Sequence, residues 1–238
     1  MTPARLLEDK RSLAAVIDHT LLKPEATPVE IEKLCEEAVS FGFFSVCINP
    51  CWVRLAHERV SSSSVKVCTV AGFPLGANDT RTKLQEAAAA REQGAAEVDM
   101  VINIGALRSG DHALVKDEIR ELAKVVKTGG GLLKVIIETC LLNEQEKTTA
   151  CRLAVRGGAD FVKTSTGFSK SGATVEDVQL MRRTVGPDVG VKASGGIRTL
   201  AALKQMLSAG ATRIGASASV SIIHELEGTL AQRPASGY

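Results

Sequence analysis

Asp99, Lys163 and Lys192 each sit in a short apolar run of the kind that forms a buried strand, and together they could do covalent chemistry on a carbonyl. Lys163 falls in Gly158-Ala159-Asp160-Phe161-Val162-Lys163-Thr164-Ser165-Thr166-Gly167. Burying an ammonium without a partner is costly, and the usual escape is a neutral amine. A neutral amine attacks carbonyls. The plainer alternative is a lysine whose stem packs while its head reaches solvent at the strand end.

Magnitudes decide whether such an amine is attainable. A reference lysine titrates near ~10.4, so about one amine in 2,500 is neutral at pH 7. Bringing that midpoint to roughly 7 needs about 4.6 kcal/mol of selective destabilisation of the ammonium. A second ammonium about 6 Å away supplies roughly 2.8 kcal/mol at an effective dielectric of ~20, and desolvation can supply the rest. A carboxylate acts in the opposite sense, so Asp99 is expected to pair with Lys192. Lys163 then reads as a Schiff-base nucleophile, Lys192 as its electrostatic tuner, and Asp99 with Lys192 as a proton shuttle. A buried Asp–Lys pair with a spectator lysine is the competing reading, although two amines on one carboxylate suit stability poorly.

The elements that must hold these residues follow from pattern. Strands are expected at Val16–Asp18, Phe44–Ile48, Val65–Val70, Ala96–Ile102, Leu133–Glu138, within the Gly158–Gly167 stretch and ending at Lys163, Val189–Ser194 and Thr212–Ala216. Helices alternate with them, starting near Thr27-Pro28-Val29-Glu30, Pro50, Asn78 or Asp79, Asp111, Asn143, Thr174, Leu200 and Ser219. Glycines close most of them, as at Gly42, Gly94, Gly158 and Gly210. Ile31, Leu34, Cys35 and Ala38 share one helix face, Leu84, Ala87 and Ala88 another, and Val115, Ile119, Leu122 and Val126 a third.

Eight strand–helix units imply parallel strands with right-handed crossovers, and the α/β architecture that closes on eight is a single (β/α)8 barrel, the TIM barrel. It is expected to span residues 1–238, with an extra N-terminal helix within 1–15, the last helix reaching Leu230, and a flexible polar tail over 232–238. No dinucleotide or P-loop glycine fingerprint follows a strand, which argues against an open doubly wound sheet.

The even strands repeat a spacing. Five residues past Gly42, Gly94, Gly158 and Gly210 stand Cys47, Asp99, Lys163 and Gly215. Alternate strands of such a barrel fill one layer, so these four are expected to share one, with Gly215 leaving room for a ligand. Similar loop lengths alone would also give similar spacings. The loops after strands seven and eight, Ser194-Gly195-Gly196-Ile197-Arg198 and Gly215-Ala216-Ser217, read as an anion cradle, to which Thr166-Gly167 adds a hydroxyl and an amide. Three ordinary turns would look the same.

His19, His57, His112 and His224 show no metal-ligand spacing and the six cysteines no C-x-x-C, so no metal or other cofactor is expected. His19 could contact substrate or serve as a structural hydrogen bonder. No G-x-S-x-G supports a serine hydrolase. Net charge is +2 without a basic, aromatic-interleaved block, so nucleic acid is not an expected partner. No apolar run approaches membrane-spanning length and the start lacks a signal-peptide pattern, so a cytoplasmic protein with reduced thiols is expected.

The set Ile17-Asp18-His19-Thr20, Glu97-Val98-Asp99, Val162 to Gly167, Val191 to Arg198 and Arg213-Ile214-Gly215-Ala216-Ser217 resembles the deoxyribose-phosphate aldolases along nearly the whole chain. The resemblance implies a class I aldolase that interconverts 2-deoxy-D-ribose 5-phosphate with acetaldehyde and glyceraldehyde 3-phosphate. It implies Lys163 as the Schiff-base lysine and Asp99 with Lys192 as the acid–base pair. Thr166, Gly167, Gly195, Gly196, Gly215 and Ser217 fall at the phosphate site, and Asp18 and the family-like cysteine Cys47 lie near it. It also implies a homodimer or homotetramer acting on a phosphosugar and aldehydes. Where some members carry a lysine after the strand-six Thr-Gly, this chain has Phe168, and Lys170 is the candidate replacement. Tyr238 matches a C-terminal tyrosine that reaches the active site in some members. The lysine chemistry alone also fits another Schiff-base lyase or a transaldolase-like enzyme, and the fold alone fits a phosphosugar-binding barrel without turnover.

Overall fold

The computed structural model describes residues 9–228, which form a closed barrel of eight parallel strands paired in sequence order, β8 returning to β1. The strands are β1 (Ile17–Leu21), β2 (Ser45–Ile48), β3 (Lys66–Ala71), β4 (Glu97–Val101), β5 (Leu132–Ile136), β6 (Phe161–Lys163), β7 (Gly190–Ser194) and β8 (Arg213–Ala216). Buried on both faces, they are rich in Val, Ile and Leu, as parallel strands require.

Caps fix where the surrounding helices begin. Thr27 and Asn143 each close a reciprocal capping box, with Glu30 and Glu146, at the starts of Pro28–Phe41 and Glu144–Gly157. Of the two candidates before the next helix, Asp79 caps Thr80–Glu92. Ile31, Leu34, Cys35 and Ala38 are buried as their spacing predicts, as are Val115, Ile119, Leu122 and Val126 in His112–Lys127. Each such aliphatic side chain contributes roughly 1.5–3 kcal/mol when fully buried.

Four expectations shift. Pro50 opens a 3-10 turn, Pro50–Trp52, before the helix Val53–Val60. A short helix, Ile104–Arg108, capped by Asn103, follows β4 in a segment to which the sequence reading assigns no element. In Thr80–Glu92 the buried positions are Lys83, Ala87 and Ala90 rather than Leu84 and Ala88. Lys83 can be buried there because its Nζ donates to Glu118 Oε2 and to the Val101 carbonyl, both at 2.9 Å. Finally, β5 stops at Ile136, and Glu138 takes a left-handed conformation (φ 55°, ψ 68°) instead of extending the strand.

Among the described residues the N-terminal helix runs Lys10–Ala14 and the last helix Ser219–Leu226. Residues 1–8, the tail and Tyr238 lie outside the described residues. No described helix is long and apolar enough to cross a membrane.

Candidate active site

Register places the chemistry. Around the barrel, Cys47 pairs with Thr20 and Cys68, Asp99 with Val70 and Lys134, Lys163 with Ile136 and Lys192, and Gly215 with Ser194 and Asp18. Each even-strand residue thus has the same stagger against its neighbours, which is one layer of alternate strands. The adjoining layer, from the odd strands, is Asp18, Cys68, Lys134 and Lys192. Gly215 lines the cavity described below and is also closely packed from beneath. A Cβ there would meet Lys192 Cε and Ser194 Cβ at 3.1 Å, so the glycine makes way for the Lys192 stem.

The ionic cluster is larger than the sequence disclosed. Asp99 Oδ2 accepts from Lys163 Nζ and from Lys192 Nζ, each at 2.8 Å, and Asp99 Oδ1 accepts from Lys134 Nζ at 2.7 Å. Asp99 was expected on Lys192; it holds Lys163 and Lys134 as well. Lys192 also lies 2.5 Å from Asp18 Oδ2, while Lys134 lies 2.5 Å from Glu97. Arg213 bridges Asp18 and Glu97 at 2.9 and 3.1 Å. Lys134, Glu97 and Arg213 were missed as site residues. Lys134 carried the same signal as Lys163, a lone lysine in the apolar run Leu132-Leu133-Lys134-Val135-Ile136.

Electrostatics fixes the resting charges. Burial pushes the Asp99 carboxyl up, but Lys134, Lys163 and Lys192 outweigh it and hold it well below the usual carboxylate range. Asp18 is held low in the same way by Lys192, Lys134 and Arg213 against its burial. Burial pushes the Lys192 and Lys134 ammonium groups toward neutrality, yet Asp18 and Asp99 on the first, and Asp99, Cys68 and Glu97 on the second, hold both above the ordinary lysine range. Four basic side chains (Lys134, Lys163, Lys192, Arg213) thus face three carboxylates (Asp18, Glu97, Asp99). An uncharged amine at Lys163 makes the count three against three.

A cavity of about 230 Å³ opens above this cluster, with Lys163 and Lys192 on its floor. Thr166, Gly167, Gly195, Gly196, Gly215 and Ser217 all line it. Asp18, Cys47 and Asp99 lie beneath, fully buried. Lys23 and Arg198 bring positive charge to the wall, whereas Lys170 is exposed and does not line the cavity. Phe168 lines it too, half exposed and edge-on to Phe73 at 5.4 Å.

The Thr166 hydroxyl is engaged within the protein: it donates to Glu138 Oε2 at 2.5 Å and accepts from Phe168 N at 3.1 Å. The hydroxyl expected for the cavity from the β6 loop is thus already bonded within the protein, and Gly167 follows it on the cavity wall. Gly172 and Gly195 pack backbone to backbone behind it, where a Cβ on Gly172 would sit 2.0 Å from the Gly195 oxygen. Ser194 lines the cavity as well, and its buried hydroxyl has no hydrogen-bond partner among the described residues.

Two trios, Cys47-Cys68-Asp99 and Asp18-Cys68-Glu97, have ligand atoms close enough to hold a metal ion. Their carboxylates are already bound by ammonium and guanidinium groups, so a divalent ion there would displace or confront Lys134 and Lys192. That donor set suits amine chemistry better. Cys47 is the softer nucleophile of the cluster: a hydrogen bond from Cys68 lowers its thiol to about 7 against the opposing effect of burial, with Lys192 assisting.

A profile described as DeoC/LacD family aldolase matches residues 12–233. The chain belongs to this family. Among curated aldolases of the family it is 60% identical over 214 residues to a deoxyribose-phosphate aldolase of Geobacillus sp. (strain WCH70), covering 90% of this chain and 96% of that one. It is 58% identical over 219 residues to the enzyme of that name from Caldanaerobacter subterraneus subsp. tengcongensis, covering 92% and 95%. A solved structure titled "Unique tetrameric structure of deoxyribose phosphate aldolase from Aeropyrum pernix" superposes with a TM-score of 0.89 at 33% identity, covering 96% of each chain. The sequence resemblance and the barrel fold therefore agree with the family found by comparison.

Within this aldolase scaffold, His19 is structural. It faces away from the cavity, its Nε2 hydrogen-bonded to Glu37 at 2.8 Å and its ring 5.0 Å from Phe43. Burial lowers its pKa below the ordinary 6.5, outweighing Glu37. The unfolded chain then binds a proton first as pH falls, so His19 costs stability on acidification below about 6.5 and the loss levels off beneath its folded pKa. Thermal melts between pH 7.5 and 5 are expected to show a slope in wild type that His19→Gln reduces.

Proposed function

We propose that the chain is a class I deoxyribose-phosphate aldolase, cleaving 2-deoxy-D-ribose 5-phosphate reversibly to glyceraldehyde 3-phosphate and acetaldehyde through an imine on Lys163. The observation that carries this is the unequal holding of the two amines at the cavity floor. Among the described residues Lys192 is gripped by two carboxylates, Asp18 and Asp99, while Lys163 pairs with Asp99 alone. Lys134 has three carboxylates within reach and does not line the cavity. The amine most readily freed to attack is that of Lys163.

Lys163 Nζ attacks C1 of the open-chain sugar, and the carbinolamine loses water to give an iminium. The C3 hydroxyl then gives up its proton and the C2–C3 bond breaks, its electron pair flowing into the iminium. Glyceraldehyde 3-phosphate departs, leaving an enamine that is protonated at C2 and hydrolysed to acetaldehyde. With Lys192 an ammonium and Asp99 a carboxylate at rest, the pair is loaded to give a proton first: Lys192 assists departure of water, and the resulting base can take the C3 proton. Asp99 orients both amines. The phosphate is assigned to the amides of Gly167, Gly195, Gly196 and Ser217, with Arg198 and Lys23 supplying charge.

Borohydride reduction in the presence of acetaldehyde is expected to add a two-carbon unit to Lys163, read by peptide mass spectrometry. An unmodified Lys163 in a sample that cleaves the sugar overturns the assignment. EDTA is expected to leave the rate unchanged, and loss restored by Zn²⁺ would transfer the chemistry to a metal. The same reading places the enzyme in the cytoplasm as a homodimer or homotetramer, the latter in keeping with the tetramer named for the Aeropyrum pernix relative.

A further inference from the structure

We propose that Glu138 is a positioning residue for phosphate recognition: its buried carboxylate pins Thr166 so that the adjoining Gly167 amide is presented to the substrate's phosphate. The inference rests on the assignment of the glycine loops as the phosphate subsite. Glu138 is 2% exposed, and among the described residues no lysine, arginine or histidine forms an ion pair with it. A carboxylate buried without a cation is a poor choice for packing alone. What it receives instead comes mainly from Thr166, with a longer contact from Cys140 Sγ to Oε1 at 3.9 Å. Its Oε2 accepts the Thr166 hydroxyl at 2.5 Å, and its two oxygens share the Thr166 N–H, each at 3.3 Å. Hydrogen bonds to an ionised acceptor are the stronger kind.

The backbone of Glu138 supports the same reading. Among the described residues it alone, glycines aside, has positive φ. A glycine, or an asparagine, would take that conformation more easily. Such strain persists where the surroundings enforce it and marks positions held for a purpose. Here the left-handed turn follows directly on β5, while the Thr139 N–H donates to the Thr164 carbonyl at 2.9 Å, tying that turn to the end of β6. The Leu141 N–H returns to the Glu138 carbonyl at 3.0 Å. The strand that supplies Lys163 and the loop that follows it are thus held by separate means: Lys163 by its pairing and Asp99, the loop by Glu138.

The consequence is a division of labour along Lys163-Thr164-Ser165-Thr166-Gly167. With the hydroxyl and N–H of Thr166 both engaged, the next amide along the loop is that of Gly167, which has no acceptor among the described residues. Gly167 lines the cavity next to Gly195, whose Cα a Cβ on Gly167 would meet at 4.0 Å. Without Glu138 the Thr166 hydroxyl is free to turn toward the cavity and the Gly167 amide loses its fixed direction.

The test measures selectivity. Steady-state kcat and KM are determined for 2-deoxyribose 5-phosphate and for unphosphorylated 2-deoxyribose in wild type, Glu138→Ala, Glu138→Gln and Gly196→Asp. Glu138→Ala is expected to lower the kcat/KM preference for the phosphorylated sugar about tenfold, mainly through KM. Glu138→Gln keeps an oxygen acceptor for the Thr166 hydroxyl at nearly the same shape and is expected to recover part of that preference. It also serves if the alanine variant does not fold. Equal losses on both sugars, or an unchanged preference in both Glu138 variants, would overturn the proposal. Gly196→Asp, which places a carboxylate in the proposed phosphate loop at φ 78° with open space around its Cβ, separates the two readings. If it abolishes the preference while the Glu138 variants retain it, the phosphate site stands and the role of Glu138 falls. If it too leaves the preference intact, the phosphate site itself is misplaced.

Discussion

Lys163→Leu is expected to lower kcat for 2-deoxyribose 5-phosphate cleavage on the order of 10⁴-fold or more while leaving the melting temperature unchanged or raised. The two halves of that result come from one count. Four basic groups, Lys134, Lys163, Lys192 and Arg213, face the carboxylates of Asp18, Glu97 and Asp99, an excess of one. Removing Lys163 deletes the nucleophile and leaves three opposed to three. Replacing a buried polar group by an apolar one of similar volume, with the remaining charges balanced, is often neutral or stabilising. A residue serving only to complete an ion pair would behave oppositely, since its loss would strand a buried Asp99. Assay and calorimetry on one variant therefore separate the catalytic role from the structural one. A stable variant with wild-type turnover would remove the imine mechanism altogether.

The legible parts of this protein were those set by local rules. Caps at Thr27 and Asn143, glycine stops at Gly42 and Gly158, and aliphatic faces at helical spacing follow from the chain within a few residues. The equal offset of Cys47, Asp99, Lys163 and Gly215 was legible too, because parallel barrel strands carry one stagger around the ring. Lys134 needed only the argument already applied to Lys163, extended to β5. Less legible was anything settled by non-local partners. The burial of Lys83 depends on Glu118, a contact between two helices, and a helical pattern read alone assigns a lysine to the outside. At Gly215 a sequence shows an absent side chain but not the Lys192 stem packed against it. Glu138 was read as the end of a strand, since no local residue preference puts a glutamate in the left-handed region.

Asp99→Asn is expected to cost about 3–5 kcal/mol of stability as well as most of the activity, the usual consequence of removing one member of a buried charge set. For a chain of this length that is a fall in Tm of roughly 10 °C. The cluster would then hold four basic groups against two carboxylates, and the amide left in place of Asp99 cannot satisfy three ammonium groups that donate at 2.7–2.8 Å. The pH dependence has a definite sign. Asp99 is depressed in the folded state, so its contribution is complete above the unfolded value of 3.8 and is lost only as pH falls through the lower folded value. Lys134 and Lys192 are raised, so theirs is complete below the unfolded 10.5 and fades only as pH climbs through the higher folded value. The gap between wild type and Asp99→Asn should therefore stay constant from about pH 5 to 9 and close only in strong acid, where the wild-type carboxyl is itself protonated. Adding Lys163→Leu to Asp99→Asn lowers the excess positive charge by one and should restore part of the lost stability, a coupling readable in a double-mutant cycle of chemical denaturation. Strictly additive effects would mean that Asp99 and Lys163 do not share the electrostatic balance on which the proposed free amine depends.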